Sequence, residues 1–115
     1  MFKVFLTPQA IKDQVKIERA GLKPKAKKLL EILKENPQQY PPSFEKLTGN
    51  LSGFYSRRIN IHHRLVYQIL PNEHQLKDEY NVPYDGIVKV VRLWTHYSHL
   101  REYNNQINGK DYNNN

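Results

Sequence analysis

Leu51-Ser52-Gly53-Phe54-Tyr55-Ser56-Arg57-Arg58-Ile59-Asn60-Ile61 is followed after one residue by His63-Arg64-Leu65-Val66-Tyr67-Gln68-Ile69-Leu70. Both runs are rich in aromatic and β-branched residues and read as successive strands. On the second run Leu65, Tyr67 and Ile69 share one face, and Arg64, Val66 and Gln68 the other, because side chains alternate along a strand. A third run, Ile87 to Tyr97, is the most β-like of all. Alternation there puts Val91 and Leu93 on one face and Arg92, Trp94 and His96 on the other. The polar stretch from Pro71 to Gly86 connects the second run to the third. It is long for a hairpin, so the pairing across it is weakly specified.

Upstream the period changes from 2 to 3.6. Phe2 to Leu6 is a short strand. Thr7-Pro8 then reads as an N-cap followed by proline at the first helical position. Ile11 and Val15, with Ala10 and Glu18, trace a helix to about Ala20, and Gly21 reads as its stop. A second helix runs from Leu22 to Asn36, with Ala26, Leu29, Leu30 and Leu33 forming one apolar stripe. Asn36-Pro37 ends it. Pro37 to Gly49 is a loop. The element order is therefore β-α-α-β-β-β. The expected fold is α+β: a mainly antiparallel sheet with two N-terminal helices packed on one face. From Ser98 the chain turns polar, with six Asn among the last eighteen residues. Residues 98–115 are expected to add at most a short helix to a domain spanning 1–97.

Length and charge bound the function. The chain has 115 residues, enough for one domain. It has no cysteine, which excludes disulfides and thiolate metal sites. No apolar run reaches a membrane span, and no signal-peptide pattern opens the chain, so the expected location is the cytoplasm. Net charge is +7 and uneven: residues 1–40 carry nine Lys/Arg against four Asp/Glu, and residues 41–70 four against one. Such a basic half suits a polyanion, nucleic acid first, although a solvated Lys-rich helix face gives the same count.

If the apolar strand faces meet the helices, Arg64, Gln68, Arg92, Trp94 and His96 line the opposite face of the sheet. Cations there meet phosphates and rings stack on bases of a single strand. RNA carries its own nucleophile, the 2′-hydroxyl. Cutting it takes a base for that proton, a cation for the phosphorane charge and an acid for the leaving 5′-oxygen. Glu45, Arg64 and His96 are the residues of the right types. Glu45 is the only carboxylate between residues 36 and 72, in the loop before the first late strand. Taken singly, each also reads as an ordinary surface or strand-end residue. His62-His63 and His96-x-x-His99 lack a cysteine or acidic cluster beside them, so neither a metal nor another cofactor is expected.

Phe44-Glu45-Lys46-Leu47, then Asn50-Leu51-Ser52-Gly53-Phe54-Tyr55-Ser56-Arg57-Arg58-Ile59, then His63-Arg64-Leu65-Val66-Tyr67 resemble the Txe/YoeB branch of the RelE toxin superfamily. Trp94-Thr95-His96-Tyr97 resembles that family's terminal His-Tyr. The resemblance covers about residues 1–97 and is densest between 44 and 67. It implies a metal-independent endoribonuclease that cleaves mRNA, chiefly in the ribosomal A site, and so inhibits translation. It also implies a YefM/Phd-like antitoxin whose C-terminal segment wraps the toxin, and it is compatible with a homodimer. Carried over, Glu45 is the general base, Arg64 the phosphate-stabilising arginine, His96 the general acid and Tyr97 the aromatic beside it. Arg57 or Arg58 contacts backbone phosphates, and Arg92 and Trp94 add to the RNA face. The departures are the eighteen residues after Tyr97, the long Pro71–Gly86 connection, and an alternation that turns Tyr97 away from His96. Two other readings stay open: a ParE-like toxin that poisons gyrase by protein contact, and an RNA-binding co-repressor module.

Overall fold

Thr7 opens the first helix as expected. Its Oγ1 accepts from the amide of Ala10 at 3.2 Å, and Pro8 takes the first helical position. The computed structural model describes residues 1–96, His96 by its backbone alone. Tyr97 and the extension 98–115, on which several sequence expectations fall, lie outside the described residues.

Helix α1 covers Pro8–Arg19 and α2 covers Lys23–Glu35. Gly21 lies between them with φ of 71°, a backbone region that glycine enters freely. The amide of Leu22 donates to Ile17 O and that of Gly21 to Glu18 O, both at 3.0 Å. This paired C-terminal cap closes α1 and seats Leu22 beside Ile17 in the core. Strand β1 is Phe2–Leu6, β2 Glu45–Lys46, β3 Phe54–Arg58, β4 His63–Leu70 and β5 Gly86–His96. They form one sheet in the order β1-β5-β4-β3-β2, with β1 parallel to β5 and the other pairs antiparallel. The fold is α+β, as the order of elements implied.

The helix face of the sheet holds the core. Ala26, Leu29 and Leu33 from α2 and Ala10 and Ile17 from α1 meet Leu65, Tyr67, Val88, Val90 and Leu93. The expected α2 stripe is therefore the buried one. The residues that traced α1 divide: Ile11 is 54% and Val15 49% exposed, while Ala10 points inward with Asp13 and Ile17. Those three follow the same i, i+3, i+7 spacing, one position round the helix, with a carboxylate where an apolar residue was sought.

Two further expectations shift. The first late strand begins at Phe54, because Gly49–Leu51 forms a 3₁₀ turn that buries Leu51. Glu45 belongs to the short edge strand β2 instead of a loop, and faces Ser56 across the ladder. The long connection does not disturb the hairpin it joins, since Leu70 and Ile87 remain partners at its base. Side chains tie it internally: Asn72 Nδ2 donates to Leu76 O and Tyr84 O, and Asp78 Oδ1 accepts from the amides of Tyr80 and Val82.

Candidate active site

Register alone collects the site. Glu45 stands opposite Ser56, Ser56 opposite Val66, and Arg58 opposite Arg64. Directly opposed residues share a face, so Glu45, Ser56, Arg58 and Arg64 gather on the side of the sheet away from the helices. Arg64 Nη2 lies 3.0 Å from Glu45 Oε1, and Arg64 Nη1 donates to Ser56 Oγ at 3.2 Å. The pair is asymmetric: the Arg64 side chain is 7% exposed and that of Glu45 52%. A buried, held guanidinium thus presents to an accessible carboxylate. Both line a cleft of about 310 Å³ together with Arg58, Pro42, Ser43 and Phe44. Arg58 is exposed. The cleft therefore offers two cations and one carboxylate to a ligand, an arrangement suited to a phosphodiester beside a proton to be removed. Thr95 stands opposite Arg64 in the β4–β5 ladder and is buried, and its Oγ1 has no hydrogen-bond partner among the described residues.

Arg57 overturns its expected role. It sits on the other side of β3, fully buried, and cannot meet a phosphate. Its Nε donates to Tyr67 Oη at 3.1 Å, Nη1 to Pro42 O at 2.8 Å, and Nη2 to Pro37 O at 3.0 Å and Gln39 O at 2.9 Å. The guanidinium also lies 4.9 Å from the Phe44 ring centroid. Tyr67 Oη in turn donates to Pro37 O at 2.6 Å. Burial raises the Tyr67 hydroxyl above its ordinary value, and the charge and hydrogen bond of Arg57 work against that rise.

The single face proposed for Arg64, Gln68, Arg92, Trp94 and His96 is also corrected. The core takes Val88, Val90 and Leu93, a spacing of two and then three, so strict alternation fails in β5. The ladder shows why: Tyr67 faces Val90 and Val66 faces Arg92, leaving Val91 as an extra residue, and a second shift puts Thr95 opposite Arg64. Trp94 packs half-buried against the core and stacks on His63, with centroids 3.6 Å apart and planes 19° apart. Arg92 turns to helix α1, where Nε lies 2.8 Å from Asp13 Oδ2. The backbone of His96 stands opposite His63, next to the Arg64–Thr95 pair.

Asp13 is the residue that sequence reading missed. It is fully buried, and its Oδ2 also accepts from the amides of Leu93 at 2.9 Å and Trp94 at 3.2 Å. Strand β1 pairs with β5 only as far as Val90. Beyond that point α1 runs along β5, and Asp13 supplies the acceptor that a neighbouring strand would otherwise provide. The available signal was its position in the Ala10–Ile17 stripe.

A mixed sheet backed by two N-terminal helices thus carries a carboxylate–guanidinium pair on its open face. Residues 7–97 match the family described as YoeB-like toxin of bacterial type II toxin-antitoxin system. Among solved structures, a YoeB dimer from Staphylococcus aureus is 30% identical, with a TM-score of 0.61 over 84% of this chain and 98% of that one. A YoeB/ParE toxin from Agrobacterium tumefaciens shares the fold at 24% identity, with a TM-score of 0.66 over 84% of this chain and all of that one. A heterotetrameric YoeB-YefM toxin–antitoxin complex from Staphylococcus aureus aligns at 29% identity and a TM-score of 0.59, over 84% of this chain and 99% of that one. A search of curated proteins gave no match. The chain belongs to the YoeB-like toxin family and is a toxin of the type II, RelE-superfamily kind. Among the described residues no helix is long and apolar enough to cross a membrane.

Proposed function

We propose that this toxin is an endoribonuclease that cleaves mRNA on the ribosome and thereby stops translation. The observation that carries the reading is the 3.0 Å pair of Arg64 and Glu45 in an open cleft that also holds exposed Arg58. Glu45 takes the proton from the 2′-hydroxyl. Arg64, fixed by Ser56, meets the phosphate and stabilises the charge that grows on it as the 2′-oxygen attacks phosphorus. His96, at the end of β5 beside the Arg64–Thr95 pair, returns a proton to the leaving 5′-oxygen, with Tyr97 next to it. The O2′–P bond forms and the P–O5′ bond breaks, giving a 2′,3′-cyclic phosphate and a 5′-hydroxyl. The substrate supplies its own nucleophile, so this route needs no metal. Arg58 contacts a flanking phosphate, and Arg92 and Trp94 act by holding the strand end that carries His96. Without RNA the Glu45–Arg64 bond keeps both groups in register. An incoming phosphate competes for the guanidinium and releases the carboxylate to act.

The activity is assigned to residues 1–97. The partner that silences it is a YefM-like antitoxin, by analogy with the Staphylococcus aureus complex, and that organism's YoeB dimer makes self-association the arrangement to examine in free toxin. The test is cleavage of a defined mRNA on programmed ribosomes, mapped by primer extension, for the wild type, Glu45→Gln and His96→Gln. Discrete cuts near A-site codons that vanish in both variants are the expected result. Growth arrest by the wild type with no cut in any message would move the target to a protein such as gyrase.

A further inference from the structure

We infer that Arg57 is a positioning residue for Glu45: a buried guanidinium that fixes the segment delivering the general base to the cleft. The inference rests on the nuclease reading above and adds to it the element that sets the base's place.

A buried cation costs stability unless its donors are satisfied. Arg57 is fully buried, and among the described residues its hydrogen-bond partners are three backbone carbonyls and one phenol, with no carboxylate. An apolar side chain would fill this space without that cost. What the guanidinium adds is geometry. Residues 37–44 form neither helix nor strand. Their inward carbonyls at Pro37, Gln39 and Pro42 converge on one planar fork. Phe44, the residue before Glu45, lies over the same guanidinium and 5.9 Å from the Tyr55 ring.

On the far side Glu45 and Lys46 pair with Ser56 and Tyr55, and the amide of Leu47 donates to Phe54 O at 2.9 Å. Glu45 is thus held between a clamp and a ladder, and both belong to β3. That strand works through both faces. Ser56 braces Arg64 on the cleft side, and Arg57 gathers the incoming segment on the core side. Lysine cannot substitute, because one ammonium cannot span three separated carbonyls and a phenol at once.

The test pairs hydrogen exchange with kinetics in Arg57→Lys and Tyr67→Phe. Tyr67→Phe removes one of the four Arg57 bonds and the phenol's own bond to Pro37 O, and leaves the three carbonyls held by Arg57. In Arg57→Lys, amide exchange across residues 38–46 is expected to rise at least about tenfold while β4 and β5 stay protected. Cleavage on programmed ribosomes is expected to lose about ten- to a hundredfold in kcat, since a misplacement near 1 Å costs roughly that much. KM, and Kd for an uncleavable 2′-deoxy message, should stay at the wild-type value. Tyr67→Phe should fall between the two in both measurements. A role confined to stability would instead lower the melting temperature and the active fraction, with kcat per folded molecule intact. Unchanged exchange over 38–46 in Arg57→Lys overturns the clamp. Wild-type kcat in a variant whose segment exchanges freely overturns the link to Glu45. Should the wild type cut no RNA, the nuclease reading fails by itself, and exchange still decides whether Arg57 holds the segment.

Discussion

Removing the Asp13 carboxylate is a severe single change outside the cleft. Asp13→Ala strips five donors of an acceptor at once: Arg92 Nε and Nη2, the amides of Leu93 and Trp94, and Gln9 Nε2. Breaking a buried pair from one side costs about 3–5 kcal/mol, because the remaining charge and amides lose partners without regaining water. A domain of this size holds only about 5–15 kcal/mol in all. The expected loss is therefore a large share of its stability, and a fall in Tm of roughly 12 °C or more. Urea unfolding followed by circular dichroism measures it. The midpoint should fall by roughly 1.5–5 M if the slope stays near 1–2 kcal/mol per M. Asp13→Asn keeps an acceptor and loses the charge, so it should fall between alanine and the wild type. Arg92→Met should cost less than Asp13→Ala, since the Arg92 side chain is 21% exposed and leaves two amides still bonded to Asp13. If Asp13→Ala unfolds within about 1 kcal/mol of the wild type, the carboxylate is not the edge acceptor of β5, and the account of how the strand end is held fails.

Other outcomes follow from single contacts. Because burial lifts the Tyr67 hydroxyl above 10.0 in the fold, the unfolded chain deprotonates first. Its contribution is complete below that pH and disappears as pH rises through the folded value. A pH series of melts should therefore show an alkaline decline beginning near 10, which is reduced in Tyr67→Phe. Leu33→Ala, at a fully buried position, should cost about 2–5 kcal/mol, whereas Ile11→Ser on the exposed side of α1 should stay within about 0.5 kcal/mol in the same urea titration. Arg64→Lys keeps a charge but loses the fork that spans Ser56 and Glu45. Cleavage should drop at least about a hundredfold in a single-turnover assay, with the melting curve little changed. Arg58→Ala should weaken RNA binding and lower the slope of log affinity against log salt by about 1, and an unchanged slope would remove Arg58 from the phosphate path.

The order of elements could be read from the chain because its signals are local. Thr7-Pro8, Gly21 and the Ala26–Leu33 stripe each act within a few residues of themselves, and the structure places both helices within a residue of where they pointed. Glu45 and Arg64 were found by residue type and by resemblance, and the ladder brings them together. What could not be read was the parity of β5. The β5 ladder slips twice, with Val91 the extra residue at the first shift, so one alternation cannot assign the whole strand. No side chain near it announces the bulge. At the second shift the partner lies on another element, since Asp13 takes the amides of Leu93 and Trp94.

Arg57 and Arg58 make the same point at closer range. They are adjacent, chemically identical and equally basic in a composition count, yet one is a solvent-facing cation and the other lies in the core. Alternation on β3 separates them only once the core face is known, and that face is fixed by Tyr55 and Tyr67, whose rings stack 5.4 Å apart beneath the 37–44 segment. A positive charge in this chain therefore does two kinds of work. On the outer face the proposed function sets it against a polyanion, an attraction that weakens with salt because its field is screened. Inside, it organises carbonyls at contact distance where screening is slight. Raising ionic strength should then loosen substrate while leaving the Glu45 segment clamped, so salt separates the two arginines in a single titration. Kd should climb steeply with salt, whereas amide exchange over residues 38–46 should hold constant.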